Sequence, residues 1–237
     1  MGSQRLPGKV LLNLIDGKKT IEFLLEQLHE SNLDQKIVAI PEDSEDDILF
    51  DFINNLKISC FRSSKLDVLD RYYNCAKKFS FKHIMRITGD NPLIDPKIVN
   101  DAIKKYSNSK CDYLTNSIDR TFPNGTEVEI FSFDALEIAW KNAKKKSERE
   151  HVTSYFYNNS NKFKIHHFKQ KNDQSHFRYT IDRKEDYNLV LEIVSRIKTR
   201  PIKTNEIVEL LTKNPELLKL NSHIIHNEGY IKSINED

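Results

Sequence analysis

A chain of 237 residues can bury a sizeable core, as one large domain or two small ones. Lys and Arg number 37 against 35 Asp and Glu, and a net charge of +2 gives no support to nucleic-acid binding. The three cysteines, Cys60, Cys75 and Cys111, are widely spaced and odd in number, which argues against a disulfide framework or a zinc site and fits a reducing cytoplasm. No apolar run approaches the roughly 20 residues of a membrane span, and no signal-peptide core opens the chain. The expected protein is cytoplasmic, with neither membrane nor nucleic acid as a partner.

The first nine residues, Met1 to Lys9, carry two glycines and a proline and read as a turn holding two cations, Arg5 and Lys9. Backbone amides freed by glycine, together with an Arg and a Lys, suit a triphosphate. Taken alone, the same residues also read as a frayed terminus. A Walker A loop would place four residues between its glycines and Ser or Thr after the lysine. Here five intervene and Val10 follows Lys9, so that reading fails.

Further along, Ile21, Leu24, Leu25 and Leu28 recur at helical spacing over Thr20 to His29. Ile37 to Ile40 reads as a buried strand ending at Pro41. The acidic stretch Glu42 to Asp47 opens a helix to about Leu56, with carboxylates at its positive end. A second strand spans Ile58 to Phe61, Asp67 begins a helix, and His83 to Ile87 is a third strand ending in Thr88-Gly89-Asp90-Asn91-Pro92. Pro96 starts a helix to about Tyr106. Three strands separated by helices predict parallel crossovers and an α/β layered fold. In the second half, strands are expected at Glu127 to Phe133, Lys164 to Phe168 and Phe177 to Ile181. Helices are expected from Asp134, over Ser147 to Tyr157 (where Ser147 to Glu150 has a capping-box pattern), Glu185 to Ile197 and Thr204 to Leu211. The polar tail from Asn221 is expected to lie over the surface. No linker divides the chain, so one domain over 1–237 is expected.

Ligands in open α/β sheets bind at the carboxyl ends of strands, where Asp90 stands and where Thr180-Ile181-Asp182 repeats the arrangement. Two such carboxylates on one sheet could hold Mg²⁺ with substrate phosphates. A turn aspartate and a helix N-cap are the structural alternatives. Ser147 to Thr153 packs both charges into one helical turn. Arg149 there could clamp a carboxylate or phosphate with His151 nearby, or belong to a solvated face. His166, His167 and His176 lack metal-ligand spacing, and no nucleophile elbow is present.

Taken together, these blocks resemble the CMP-KDO synthetase-like cytidylyltransferases, specifically the spore-coat polysaccharide branch. The similarity runs through Gly2-Ser3-Gln4-Arg5-Leu6-Pro7-Gly8-Lys9, Asp67 to Tyr72, Arg86 to Asp95, Ser147 to Thr153, Thr180 to Asp182 and Asn227-Glu228-Gly229-Tyr230. It implies a GT-A-like, Rossmann-like nucleotide-diphospho-sugar transferase fold, with a mixed, mostly parallel sheet flanked by helices. The implied activity is transfer of CMP from CTP to an acidic sugar, with pyrophosphate released and Mg²⁺ as cofactor. The implied assembly is a homodimer through an extension at roughly 121–170. Carried over residue by residue, Gly2, Ser3, Arg5, Lys9 and Arg86 would bind the nucleotide. Arg5, Lys9 and Asp90 would be catalytic, Asp90 and Asp182 would hold the metal, and Arg149 and His151 would approach the sugar. The family carries an apolar strand ahead of the Gly-Ser loop, a central strand of its sheet. This sequence opens inside that motif. The expectation is an unfilled gap in the sheet, with low stability and weak activity for the chain as written.

Overall fold

The computed structural model describes every residue except Gln4, His226 and Asn227, so two positions of the family-like blocks, Gln4 and Asn227, lie outside the described residues. The opening loop turns at Gly8, whose φ of 68° is left-handed and strains any residue with a Cβ, and then makes a 3₁₀ turn over Lys9–Leu11. There follow α1 (Thr20–Gln27), β1 (Ile37–Pro41), α2 (Asp47–Asn55), β2 (Ser59–Ser63), α3 (Val68–Lys78), β3 (His83–Arg86), α4 (Pro96–Asn108) and β4 (Tyr113–Thr115). The second half contributes β5 (Glu129–Ser132), α5 (Phe133–Asn142), α6 (Lys146–His151), α7 (Ser154–Asn158), β6 (Ile165–His167), α8 (Lys184–Arg196), α9 (Thr204–Lys213), α10 (Pro215–Leu218) and α11 (Glu228–Asn235).

Local chemistry sets several of these boundaries. Asp67, Asp95 and Ser132 accept backbone N–H groups at the starts of α3, α4 and α5, and Pro96 fills the first position of α4. The acidic stretch after β1 makes a 3₁₀ turn at Ser44–Asp46 before α2, so the helix begins later than its charges suggest.

The strands form two sheets. β1 and β2 pair in parallel, Ile37 opposite Ser59 through Pro41 opposite Ser63. The other sheet has the order β3-β5-β4-β6, with β5 antiparallel to both neighbours and β4 parallel to β6. Helices cover both faces, giving the mixed α/β layers expected. Ile84 of β3 packs with Leu69, Tyr73 and Ala76 of α3, whereas Met85 and Ile87 pack with Leu24 and Leu28 of α1 and Val99 of α4. That alternation puts α3 on one face and α1 with α4 on the other. A cavity of about 900 Å³ is lined by residues of β1, β3, α1 and α3.

Two expectations are corrected. Phe177 to Ile181 is not a strand. It makes one bridge, Asn124 with Arg178, because the chain there runs against the Pro123–Gly125 turn and the end of β3 instead of a strand edge. The helix expected over Ser147 to Tyr157 is broken into α6 and α7 at Val152, which is fully buried at φ 59°. A buried β-branched residue in that conformation is a strained joint held by its surroundings. The tail from Asn221 lies over the surface as expected, and there it forms α11, which docks on α6. No described helix is long and apolar enough to cross a membrane.

Candidate active site

At one pole the opening loop meets two strand-end carboxylates. The carbonyl of Met1 accepts N–H bonds from Ser3 (3.1 Å) and Gly8 (3.2 Å), which closes the loop and aims Lys9 inward. Lys9 Nζ donates to Asp90 Oδ2 (2.8 Å), Asp182 Oδ1 (3.0 Å) and the Ile181 carbonyl (2.8 Å). The two carboxylates are held in register through backbone, since Ile181 N–H donates to the Asp90 carbonyl at 2.8 Å. Burial pushes the Asp90 carboxyl up, but Lys9, with help from Thr88, outweighs it and holds the group below the usual carboxylate range. Burial likewise opposes the Lys9 charge, and Asp90 and Asp182 reverse that, leaving the ammonium harder to deprotonate than usual.

Asp182 is braced from three directions. Arg5 Nη2 donates to Oδ1 at 2.7 Å and Arg178 Nη2 to Oδ2 at 3.1 Å. Arg178 in turn forks onto buried Asp186 (2.9 and 3.0 Å), which also accepts the N–H groups of Asp182 and Arg183 and an amide proton of Asn221. Arg5 and Arg183 both reach Glu228 at the start of α11 (3.5 and 2.7 Å). Four cations (Arg5, Lys9, Arg178, Arg183) thus meet four carboxylates (Asp90, Asp182, Asp186, Glu228). The pole is balanced in charge.

The second pole lies beside β3 and α6. Arg86 donates to Glu129 at 2.5 Å, and Glu129 also accepts from Tyr113. Burial alone would lower the Arg86 pKa, but Glu129 and the nearby tyrosines raise it. His151 pairs with Ser233 Oγ at 2.9 Å and stands edge-on to Tyr230. Its pKa is lowered chiefly by burial, with Arg86 adding to the effect against the opposing Glu150. Arg149 is turned away toward α3: it bonds Asp67 (2.8 Å) and the Trp140 carbonyl (2.7 Å), tying α6 to the cap of α3. At 1.5 Å per residue, Glu228 and Ser233 are about 8 Å apart along α11, so one helix touches both poles.

The structure therefore brings Arg5, Lys9, Asp90 and Asp182 together and sets His151 and Arg86 in a second buried cluster. Gly2 lies against Glu45 and Lys65, and Ser3 Oγ accepts from Leu6 N–H inside the loop. Sequence reasoning missed Arg178, Asp186, Arg183 and Glu228. The available signal was spacing, with arginine four and eight residues ahead of two aspartates at the start of α8. Asp90 and Asp182 are hard oxygen donors converging on one cation, Lys9, and that donor set fits Mg²⁺. Among the described residues Asp43, Glu45 and Asp46 also cluster, and they already pair with Lys65 and the Met1 amine.

Comparison with known proteins bears on this geometry. Residues 1–223 match the family model for cytidylyltransferases. The chain belongs to the cytidylyltransferase family. The spore coat polysaccharide biosynthesis protein SpsF of Bacillus subtilis is 30% identical over 227 residues, covering 91% of this chain and 92% of SpsF. A 3-deoxy-manno-octulosonate cytidylyltransferase of Fusobacterium nucleatum is 31% identical over 111 residues, covering 46% of this chain and 43% of its own. The solved structure of a cytidylyltransferase from Leptospira borgpetersenii superposes with a TM-score of 0.89 at 34% identity over 95% of both chains. This cytidylyltransferase thus has the nucleotide-sugar transferase fold and belongs with the nucleotidyltransferases.

Proposed function

We propose that the chain transfers CMP from CTP to an acidic sugar, for a surface polysaccharide or a flagellar glycan. The observation that carries this is Lys9 held between the two strand-end carboxylates, with Arg5 on the same Asp182. In the balanced reaction a sugar hydroxyl oxygen bonds to the α-phosphorus of CTP, the bond to the β-phosphate oxygen breaks, pyrophosphate leaves with that electron pair, and the hydroxyl proton is released. Charge grows on the phosphate oxygens, and pre-placed cations stabilise it. Arg5 and Lys9 fill that role, with Gly2, Ser3 and Arg86 completing the nucleotide contacts. Asp90 and Asp182 would hold Mg²⁺, whose charge would neutralise the triphosphate when bound.

His151 is the sugar-facing residue of the second pole, and neutral His151 can accept a hydroxyl hydrogen bond. Arg149 requires release from Asp67 to reach a sugar carboxylate. The acidic sugar is favoured by the likeness to a 3-deoxy-manno-octulosonate cytidylyltransferase. Residues at roughly 121–170 would form the homodimer contact. A sugar 1-phosphate nucleotidyltransferase using another nucleotide, and a chain that binds nucleotide sugar without turnover, are the competing readings.

The test is pyrophosphate release with CTP, Mg²⁺ and a panel of acidic sugars, with UTP, ATP and GTP in parallel. Release with CTP and one acidic sugar is expected. Release with another nucleotide and a sugar 1-phosphate would replace this reading, and nucleotide binding without release under any pairing would favour the inactive one.

A further inference from the structure

Of the four carboxylates around Lys9, three are fixed by the fold. Asp90 and Asp182 are joined through the bond from Ile181 N–H to the Asp90 carbonyl, and Asp186 is fully buried at the start of α8. Glu228 differs from them. It opens α11 and its side chain is 39% exposed. Arg183 Nη2 donates to its Oε1 at 2.7 Å and to its Oε2 at 3.0 Å, and Arg5 Nη1 donates to Oε2 at 3.5 Å. The Arg5 guanidinium also lies against the first turn of α11, where a Cβ added to Gly229 would be 3.7 Å from Nη2. The start of α11 therefore covers both arginines.

Two guanidinium groups converging on one carboxylate is also the arrangement that binds phosphate oxygens. An ion pair this exposed adds little stability, so a more highly charged anion can replace it. The other cations are committed more firmly. Lys9 Nζ already donates to three acceptors, and Arg178 is held by buried Asp186 and by Asp182. A polyphosphate reaching this balanced pole can thus displace Glu228 at the least cost to the fold. The far end of α11 is fastened separately to α6. Ser233 bonds His151 (2.9 Å) and Glu150 (2.8 Å), Glu236 pairs with Lys146, and Asp237 accepts Ser147 N–H at 2.8 Å. The Glu228 end can lift while the other end stays anchored.

We infer that Arg5 and Arg183 form an anion site for a phosphate of a polyphosphate chain, that Glu228 is its internal occupant, and that the bound polyphosphate displaces Glu228 and lifts the start of α11. The inference rests on the nucleotide reading above only in taking that chain to be the triphosphate of CTP. Glu228 then acts as an autoinhibitory contact, because each carboxylate-bound moment withholds both arginines from the ligand. The same movement pulls on Ser233 and so on His151, which makes α11 the connection from the anion site to the second pole.

The test titrates inorganic tripolyphosphate with Mg²⁺ into the full chain and its variants by calorimetry. An internal occupant divides the apparent affinity by the fraction of time the site is open, so Glu228→Gln is expected to bind about tenfold tighter. Arg183→Ala is expected to bind about tenfold weaker. Glu185→Gln, which removes the same charge two residues from Arg183, should change Kd by no more than about twofold. Opposite signs for the two partners of one ion pair are what a merely structural bridge would not produce. An unchanged or weaker Kd in Glu228→Gln would overturn the inference, as would an equal gain in Glu185→Gln or no binding of tripolyphosphate to any of the proteins. Should Glu228→Gln fail to fold, Glu228→Ala is read the same way. Hydrogen exchange gives the displacement directly: saturating tripolyphosphate should speed exchange across 228–235 in the unaltered chain by about tenfold. Exchange there that stays the same at saturation would also overturn it. Pyrophosphate release from CTP is followed in parallel. Opposite Kd shifts without release would leave the anion site standing and remove the nucleotide reading, whereas release without those shifts would do the reverse.

Discussion

At the scale of single residues, the pole around Lys9 depends on opposite charges that constrain one another. Asp90→Asn removes one carboxylate from the Lys9 bridge, and turnover at fixed Mg²⁺ is expected to fall by about 10²–10³-fold, with a modest fall in melting temperature. Steady-state kinetics with CTP check it, and retained turnover would take Asp90 out of the site. Lys9→Ala should raise the KM for CTP and, because charge on the phosphates grows toward the transition state, lower kcat as well. Asp186 has a different role. It is fully buried, forks onto Arg178 and caps α8. Asp186→Asn takes away the forked carboxylate partner of Arg178 and leaves it only Asp182, and is expected to cost about 3 kcal/mol of unfolding free energy, measured by urea denaturation. The depressed Asp90 carboxyl contributes stability that is complete above the ordinary carboxylate range. That part is lost as pH falls through its lower folded value.

At the scale of elements, α11 and the 177–182 segment decide how the two poles are held. α11 anchors to α6 through the His151–Ser233 contact and to the loop through Glu228. His151 is held below its ordinary pKa of 6.5, so the unfolded chain binds its proton first. The stabilisation is whole above about pH 6.5 and declines as pH falls from there through the folded value. Melting followed from pH 7.5 to 5 should show this loss, and His151→Gln should flatten it. An unchanged slope in the variant would remove His151 as its source. The 177–182 segment depends on Gly125, whose φ is 116° and whose added Cβ would lie 2.9 Å from the Thr180 nitrogen. Gly125→Ala must therefore push the Asp182 segment away from the Asp90 backbone. A fall in both melting temperature and turnover is expected, whereas normal kinetics would show that the segment tolerates displacement.

For the whole molecule, the division into two sheets predicts uneven stability. A two-stranded sheet is marginal by itself, and β1, β2 and α2 rest on a small apolar cluster around Ile40, Leu49 and Ile53. Native-state hydrogen exchange should find these elements opening at lower free energy than the β3-β5-β4-β6 sheet with α3 and α5. Coincident opening of both would show that the helices couple them fully.

The sequence by itself determined a good part of this. Apolar runs bounded by Pro, Gly and Asp marked β1, β3 and most helices, because strand and helix periods and caps are local properties. The Gly-Arg-Pro-Gly-Lys loop and the strand-end positions of Asp90 and Asp182 were legible for the same reason. Their meeting on Lys9 was not, since it joins residues more than 80 positions apart. Only the tertiary structure decided that Phe177–Ile181 leaves the sheet, that Val152 breaks a helix, that Arg149 turns to Asp67, and that Arg178, Asp186 and Glu228 brace the site. Each depends on which buried polar group finds a partner and which edge is free, and those are settled by long-range packing.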